Sequence, residues 1–248
     1  DKISAKTGIY QRRIAGKNET ACDLASEAAK NLFNEYNIDP LEVDFLLLCT
    51  QSPDYFLPTT ACILHNNLGL KNSCGALDFN LGCSGYIYGL SLAKGLIQSS
   101  AAKNVLLITS ETYSKHLHDN DKGNQTIFGD GAAATLISSE NGSGIISNFQ
   151  FGTDGTGAKN LIVKNGGFRN PKLTGEDLFD DSGFIKNDDF LYMNGQEIFS
   201  FTTKAVPVLV NKTLEVNNLT MDNVDLFIFH QANKFMLNYI RRKIKIPE

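Results

Sequence analysis

The 248-residue chain reads as an α/β fold assembled from two related halves. Solid apolar runs suited to strands alternate with amphipathic stretches suited to helices, and a helix-turn-strand unit occurs twice. Two of the strand-like runs lead directly into Cys83 and His230. Runs such as Phe45-Leu46-Leu47-Leu48 and Val105-Leu106-Leu107-Ile108 lack the polar alternation of a half-exposed sheet, so helices are expected over both faces.

The first helix is expected over 19–36, with Leu24, Ala28 and Leu32 sharing a face. Strands follow at 45–50, 76–79, 105–110 and 132–138, with helices at 59–68 and 83–99 between the first three. Asn141-Gly142 lies between two strand-like runs and has the chemistry of a hairpin turn. Residues 152–189, rich in Gly, Asn, Asp and Lys, read as surface loop and short excursions. A long helix over 195–216 carries Ile198, Phe201, Ala205, Val208 and Leu209, and a strand over 225–229 then delivers His230 to the start of a helix.

The repeat aligns Ile38 through Cys49 with Leu219 through His230, sharing the pairs Val43-Asp44 and Val224-Asp225. It places a first half at 1–152, and linker loops with a partial second half at 153–248. Carried on from Cys83, the repeat register runs past residue 248, and no strand precedes the first helix. A longer native chain is therefore expected, with both of its ends outside this one.

Composition narrows the function. A hydrophobic share of 42%, a net charge of −4 and a pI near 5.6 argue against a general nucleic-acid binder. The basic run Arg241, Arg242, Lys243 and Lys245 is either a solvated helix end or a docking patch for an acidic carrier protein. No apolar stretch reaches membrane-spanning length and no charged-then-apolar leader opens the chain, so a cytoplasmic protein without a membrane partner is expected. Cys22, Cys49, Cys62, Cys74 and Cys83 form no CxxC pair, and His116, His118, Asp119 and Asp121 lack metal-ligand spacing; neither disulfides nor a metal is expected.

Cys83, entering a helix, would face unpaired N–H groups that favour thiolate, and Gly82 and Gly85 leave room for a substrate carbonyl. Taken alone, Cys83 reads first as a buried structural cysteine. His230 at the second strand end makes a nucleophile and a partner conceivable.

Several motifs then carry a resemblance: Thr7-Gly8-Ile9 with Arg12 and Arg13, Leu57-Pro58-Thr59-Thr60-Ala61-Cys62, the segment around Cys83, Phe128-Gly129-Asp130-Gly131-Ala132, and His230-Gln231-Ala232-Asn233. In these the chain resembles the beta-ketoacyl-ACP synthase III family of thiolase-fold condensing enzymes. The resemblance implies a five-layered αβαβα fold from two duplicated halves, here incomplete at both ends, and a homodimer. It implies decarboxylative condensation of an acyl thioester with malonyl-ACP, through an acyl-Cys83 intermediate. His230 would donate a hydrogen bond to the thioester oxygen, Asn233 would help order the site, and Phe56 and Leu57 would limit acyl-chain length. Acyl-CoA or acyl-ACP and the acyl carrier protein are the implied substrates and partners, with no separate cofactor.

Three departures accompany the resemblance. The family's second hydrogen-bond donor, an asparagine in a Gly-Asn-Thr motif, and its glycine-rich C-terminal strand would lie beyond residue 248. There is no tryptophan to clamp adenine, and Lys122 stands at the family's arginine position, so the primer need not be acetyl-CoA. Two other readings are an acyltransferase serving an oxygen or nitrogen nucleophile, and a non-catalytic subunit of the same fold.

Overall fold

The computed structural model describes residues 2–140, 144–180 and 183–246. The chain divides into two units, one formed by Arg13–Tyr113 and Gly129–Ile146, the other by the residues up to Arg12, Ser114–Phe128 and those from Ser147 on.

In the first unit the order is α2 (Ala21–Tyr36), β1 (Phe45–Cys49), α3 (Thr60–Asn67), β2 (Gly75–Phe79), α4 (Gly85–Gln98), β3 (Asn104–Glu111) and β4 (Gly131–Ser138). The strands form one sheet in the order β2-β1-β3-β4. β1 pairs in parallel with β2 and β3, and β4 runs antiparallel to β3. Because strand side chains alternate between faces, one apolar run supplies two cores. Leu46, Leu48, Leu106 and Ile108 pack with Cys22, Ala25, Ala29 and Phe33 of α2 and with Ala61 and Leu64 of α3. Leu47, Val105 and Leu107 pack on the opposite face with Ala93 of α4. Both faces of the two central strands are therefore covered, as their unbroken apolar character requires.

Polar clamps fix the ends of these elements. Thr20 and Asp23 form a capping box at the start of α2, and Asn37 ends it in the left-handed conformation. Asp78, within β2, accepts hydrogen bonds from the Thr60 and Ala61 N–H groups at 2.7 and 2.6 Å, so a neighbouring strand caps α3. Asp44, just ahead of β1, accepts from Lys71 Nζ at 2.6 Å and from the N–H groups of Lys103 and Asn104 at 2.8 and 3.0 Å. These bonds, with Lys71 the largest contributor, hold its carboxyl at a pKa of about 2.

The second unit begins with α1 (Lys2–Thr7), a short helix that the sequence did not announce. Residues 152–189 carry short pairings, as expected of an excursion: β5 (Leu161–Ile162) pairs with β8 (Tyr192–Met193), and β6 (Leu178–Phe179) with β7 (Ile185–Lys186). α5 (Gly195–Val216) and α6 (Lys234–Lys243) then pack together. Phe199 lies 5.7 Å from Phe235 and 5.1 Å from Tyr239 between ring centroids, and Lys243 Nζ donates to Thr203 O at 2.6 Å.

The duplicated unit is visible in the turns. α2 leads through a 3₁₀ turn at Pro40–Glu42 into β1, and α5 leads through one at Met221–Asn223 into the segment before His230. That segment differs from expectation, because residues 225–229 pair with no strand among the described residues. They remain extended enough for Phe227 and Phe229 to stack at 6.3 Å, while Leu226 and Ile228 are 72% and 80% exposed. A strand needs a ladder partner as well as an apolar pattern. The Asn141-Gly142 turn lies outside the described residues, and Ile145 and Ile146 after it form no strand.

Asp44→Ala removes the acceptor shared by β1, β3 and Lys71, and should lower stability at pH 7 by about 1–3 kcal/mol in chemical denaturation. Because the Asp44 pKa is depressed in the fold, its contribution is present above pH 4 and is lost as pH falls from there through about 2. The wild-type and Asp44→Ala denaturation curves should therefore converge in acid.

Candidate active site

β2 ends at Phe79, and a tight turn separates it from α4. Gly85 N–H donates to Gly82 O at 2.8 Å, and Ile87 and Tyr88 N–H donate to Ser84 O at 3.1 and 3.3 Å. The helix therefore begins at Gly85 with Ser84 as its N-cap, and Cys83 stands ahead of the helix instead of opening it. The end of β1 supports this turn from below. Cys49 Sγ donates to Leu81 O at 3.0 Å, and the Gln51 side chain lies against Gly82. A Cβ added at Gly85 would strike Cys49 Sγ, so only glycine permits this approach.

Cys83 is exposed as a residue while its thiol is largely enclosed by protein. Burial pushes the thiol pKa up and the charge of Glu111 adds to this, opposed by a hydrogen bond from the cysteine's own N–H. This reverses the expected depression. The sulfur sits outside the first helical turn and shares its surroundings with a carboxylate, so desolvation and like charge outweigh the helix terminus.

Glu111 was not singled out from the sequence, although an acidic residue at the end of a solid apolar strand is a readable signal. Its Oε1 accepts from Gln51 N–H at 2.7 Å and its Oε2 from Ser52 Oγ at 2.8 Å, and Ser52 Oγ in turn accepts from Thr112 N–H at 2.9 Å. Burial, with a smaller contribution from Asp130, raises its carboxyl to a pKa of about 7 despite those bonds. Tyr113 follows it, its phenol pushed up to about 12 by burial and by Cys83 and Glu111. Cys49 is raised to about 11, chiefly by burial. Phe56 and Leu57 lie on the loop between β1 and α3 and are 73% and 87% exposed.

The second unit holds the other residues singled out by sequence. His230 precedes α6, and burial holds its imidazole below the ordinary pKa, so the ring is neutral near pH 7. Asn233 is the N-cap of α6, its Oδ1 accepting from Met236 N–H at 2.8 Å, so it orients the helix that follows the histidine. Arg241, Arg242 and Lys243 form the last turn of α6, where cations complement the helix dipole. A cavity of about 800 Å³ is lined by Ile127, Lys159, Lys186, Tyr192, Met193 and Asn194 among others. Lys122 is exposed between Asp121 and Gly123, which line that cavity, and does not itself line it. Among the described residues no group of three metal-binding side chains occurs, and no helix is long and apolar enough to cross a membrane.

The fold is that of thiolase-like condensing enzymes: a crystal structure of a 3-oxoacyl-(acyl-carrier-protein) synthase III superposes with a TM-score of 0.96 at 53% identity, covering 99% of this chain and 74% of that one. A crystal structure of a 3-oxoacyl-(acyl-carrier protein) synthase from Burkholderia xenovorans gives a TM-score of 0.85 at 38% identity over 99% of this chain and 69% of its own. The family model for 3-oxoacyl-[acyl-carrier-protein (ACP)] synthase III matches residues 77–155. The beta-ketoacyl-[acyl-carrier-protein] synthase III of Caldanaerobacter subterraneus subsp. tengcongensis is 37% identical over 245 residues, covering 98% of this chain and 71% of that protein. The chain belongs to the beta-ketoacyl-ACP synthase III family.

Glu111 has a stability signature. Its folded pKa of about 7 lies above that of a free glutamate, so the folded state holds a proton that the unfolded state has released. Stability from this group should fall as pH rises from about 4.5 to 7, by on the order of 2–3 kcal/mol, and level off above. Glu111→Gln should flatten that part of the stability-pH curve measured by urea denaturation.

Proposed function

We propose that this chain performs a decarboxylative Claisen condensation, joining an acyl thioester primer to malonyl-ACP to give 3-oxoacyl-ACP. The observation that carries the reading is the Cys83 thiol, held at the glycine-lined turn between β2 and α4 in a chain of this family. The sulfur attacks the primer's carbonyl carbon, forming a new thioester at Cys83 and releasing the carrier thiol with the proton. Malonyl-ACP then loses CO₂. The electron pair left on its α-carbon attacks the acyl carbonyl, and the bond from that carbonyl to Cys83 Sγ breaks.

His230 supplies an N–H to the malonyl thioester oxygen as enolate charge develops, a role suited to an imidazole that is neutral at pH 7. Asn233 acts indirectly through the α6 cap. On this reading Phe56 and Leu57 bound the acyl chain, Lys122 meets the primer's carrier group, and the basic end of α6 docks the acidic carrier protein. The exposed run Tyr55-Phe56-Leu57 is the kind of apolar patch a second copy would cover in a homodimer. The thioester substrates bring all the chemistry needed, and no further cofactor enters.

Intact-mass spectrometry with a panel of acyl-CoA and acyl-ACP donors tests the first step. A donor-sized mass gain is expected, absent in Cys83→Ala. With malonyl-ACP, His230→Ala should retain the acyl-enzyme and lose about 100-fold or more of CO₂ release. An acyl-enzyme that passes its acyl group to alcohols or amines and never to malonyl-ACP would replace condensation with simple acyl transfer.

A further inference from the structure

The carboxyl group at the end of β3 is tied to the nucleophile turn through a short chain of contacts. Glu111 grips Gln51 N–H at 2.7 Å and Ser52 Oγ at 2.8 Å, the Gln51 side chain lies against Gly82, and Gly82 precedes Cys83. Thr50 N–H donates to Phe79 O at 3.3 Å and Cys49 Sγ to Leu81 O at 3.0 Å, so the end of β1 and the residue after it hold the stretch that leads into the turn.

We propose that Glu111 is a positioning residue with an electrostatic second role: it locks the loop beneath the cysteine turn, and its protonation state sets how readily Cys83 ionises. The assignment deepens the reading of Cys83 as acyl acceptor and rests on it. Ionised, Glu111 places a negative charge in the field of the sulfur and opposes thiolate; protonated, it keeps the clamp and removes that charge. Its pKa of about 7 puts the change near neutrality. The other titratable groups facing this cluster are Asp130 ahead of β4, which raises the Glu111 pKa, Tyr113 after β3, and Cys49 on β1. The thiol and the carboxyl therefore form a coupled pair in which the first proton lost, from Glu111, makes the second, from Cys83, harder to remove.

The test is the pH dependence of Cys83 alkylation by iodoacetamide from pH 5.5 to 10, read peptide by peptide so that exposed Cys62 is counted separately. Glu111→Gln is nearly isosteric and keeps polar atoms where the clamp needs them. It should shift the Cys83 midpoint down by about half a unit or more, and speed alkylation at pH 8 by about threefold. A purely structural Glu111 would leave the midpoint unchanged, and that result overturns the inference. Glu111→Asp retains the charge on a shorter arm and covers the case in which Glu111→Gln fails to fold; its midpoint should stay within about 0.3 units of wild type. A midpoint for Glu111→Asp that drops as expected for charge removal would also overturn the inference. Alkylation reads the sulfur directly: an unshifted midpoint in a protein that still condenses sinks this inference alone, and a shifted midpoint without acyl-enzyme sinks the condensation reading alone.

Discussion

Everything at the cysteine turn depends on β1 and β3 being buried on both faces. Leu46 and Leu48 face α2 and α3 while Leu47 faces α4, and Val105 through Ile108 repeat the arrangement one strand over. A strand in that position cannot slip by a single residue without exchanging its two sets of core contacts, and parallel pairing to neighbours fixes it further. The register is thus held by hydrophobic burial of whole side chains, each worth about 1.5–3 kcal/mol. The polar residues at the strand ends inherit that precision.

Those ends are where the chemistry collects. In the parallel part of the sheet, the strand ends of β1, β2 and β3 bring Cys49, Gln51, Ser52, Cys83 and Glu111 into one connected set. Open α/β sheets place ligand sites outside the carboxyl ends of their strands for this reason: the backbone polar groups there have left the ladder and are available for other partners. In this chain some of those groups are spent on holding the turn, and the thiol receives an environment of protein and negative charge instead of an unobstructed helix terminus. A raised thiol pKa is compatible with acyl transfer, since nucleophilicity of a thiolate grows with its basicity even as its population falls.

Much of this was legible in the residues, and the misses have physical causes. The strands, the covering helices and the duplicated turn could be read because apolar periodicity and capping chemistry are local signals. The helix start was misplaced by two residues because the Gly82 to Gly85 turn consumes them, a geometry set by the β1 contacts below. Residues 225–229 have the apolar content of β1 without its ladder, and pairing is a property of neighbours that no single segment reveals. Glu111 went unnoticed for a related reason: its raised pKa comes from burial, and its partners Gln51 and Ser52 are distant in sequence and joined to it only when β1 and β3 lie side by side.

The contact between Gly85 and Cys49 has a consequence for how this protein can change over time. The sulfur of one residue occupies the space that a side chain on the other would need. Neither position can be optimised independently: a larger group at 85 becomes admissible only after 49 has shrunk, and a smaller group at 49 leaves a void under the turn until 85 fills it. The floor beneath the nucleophile is therefore a pair of sites with one shared volume, and paths of substitution through it must pass by way of both.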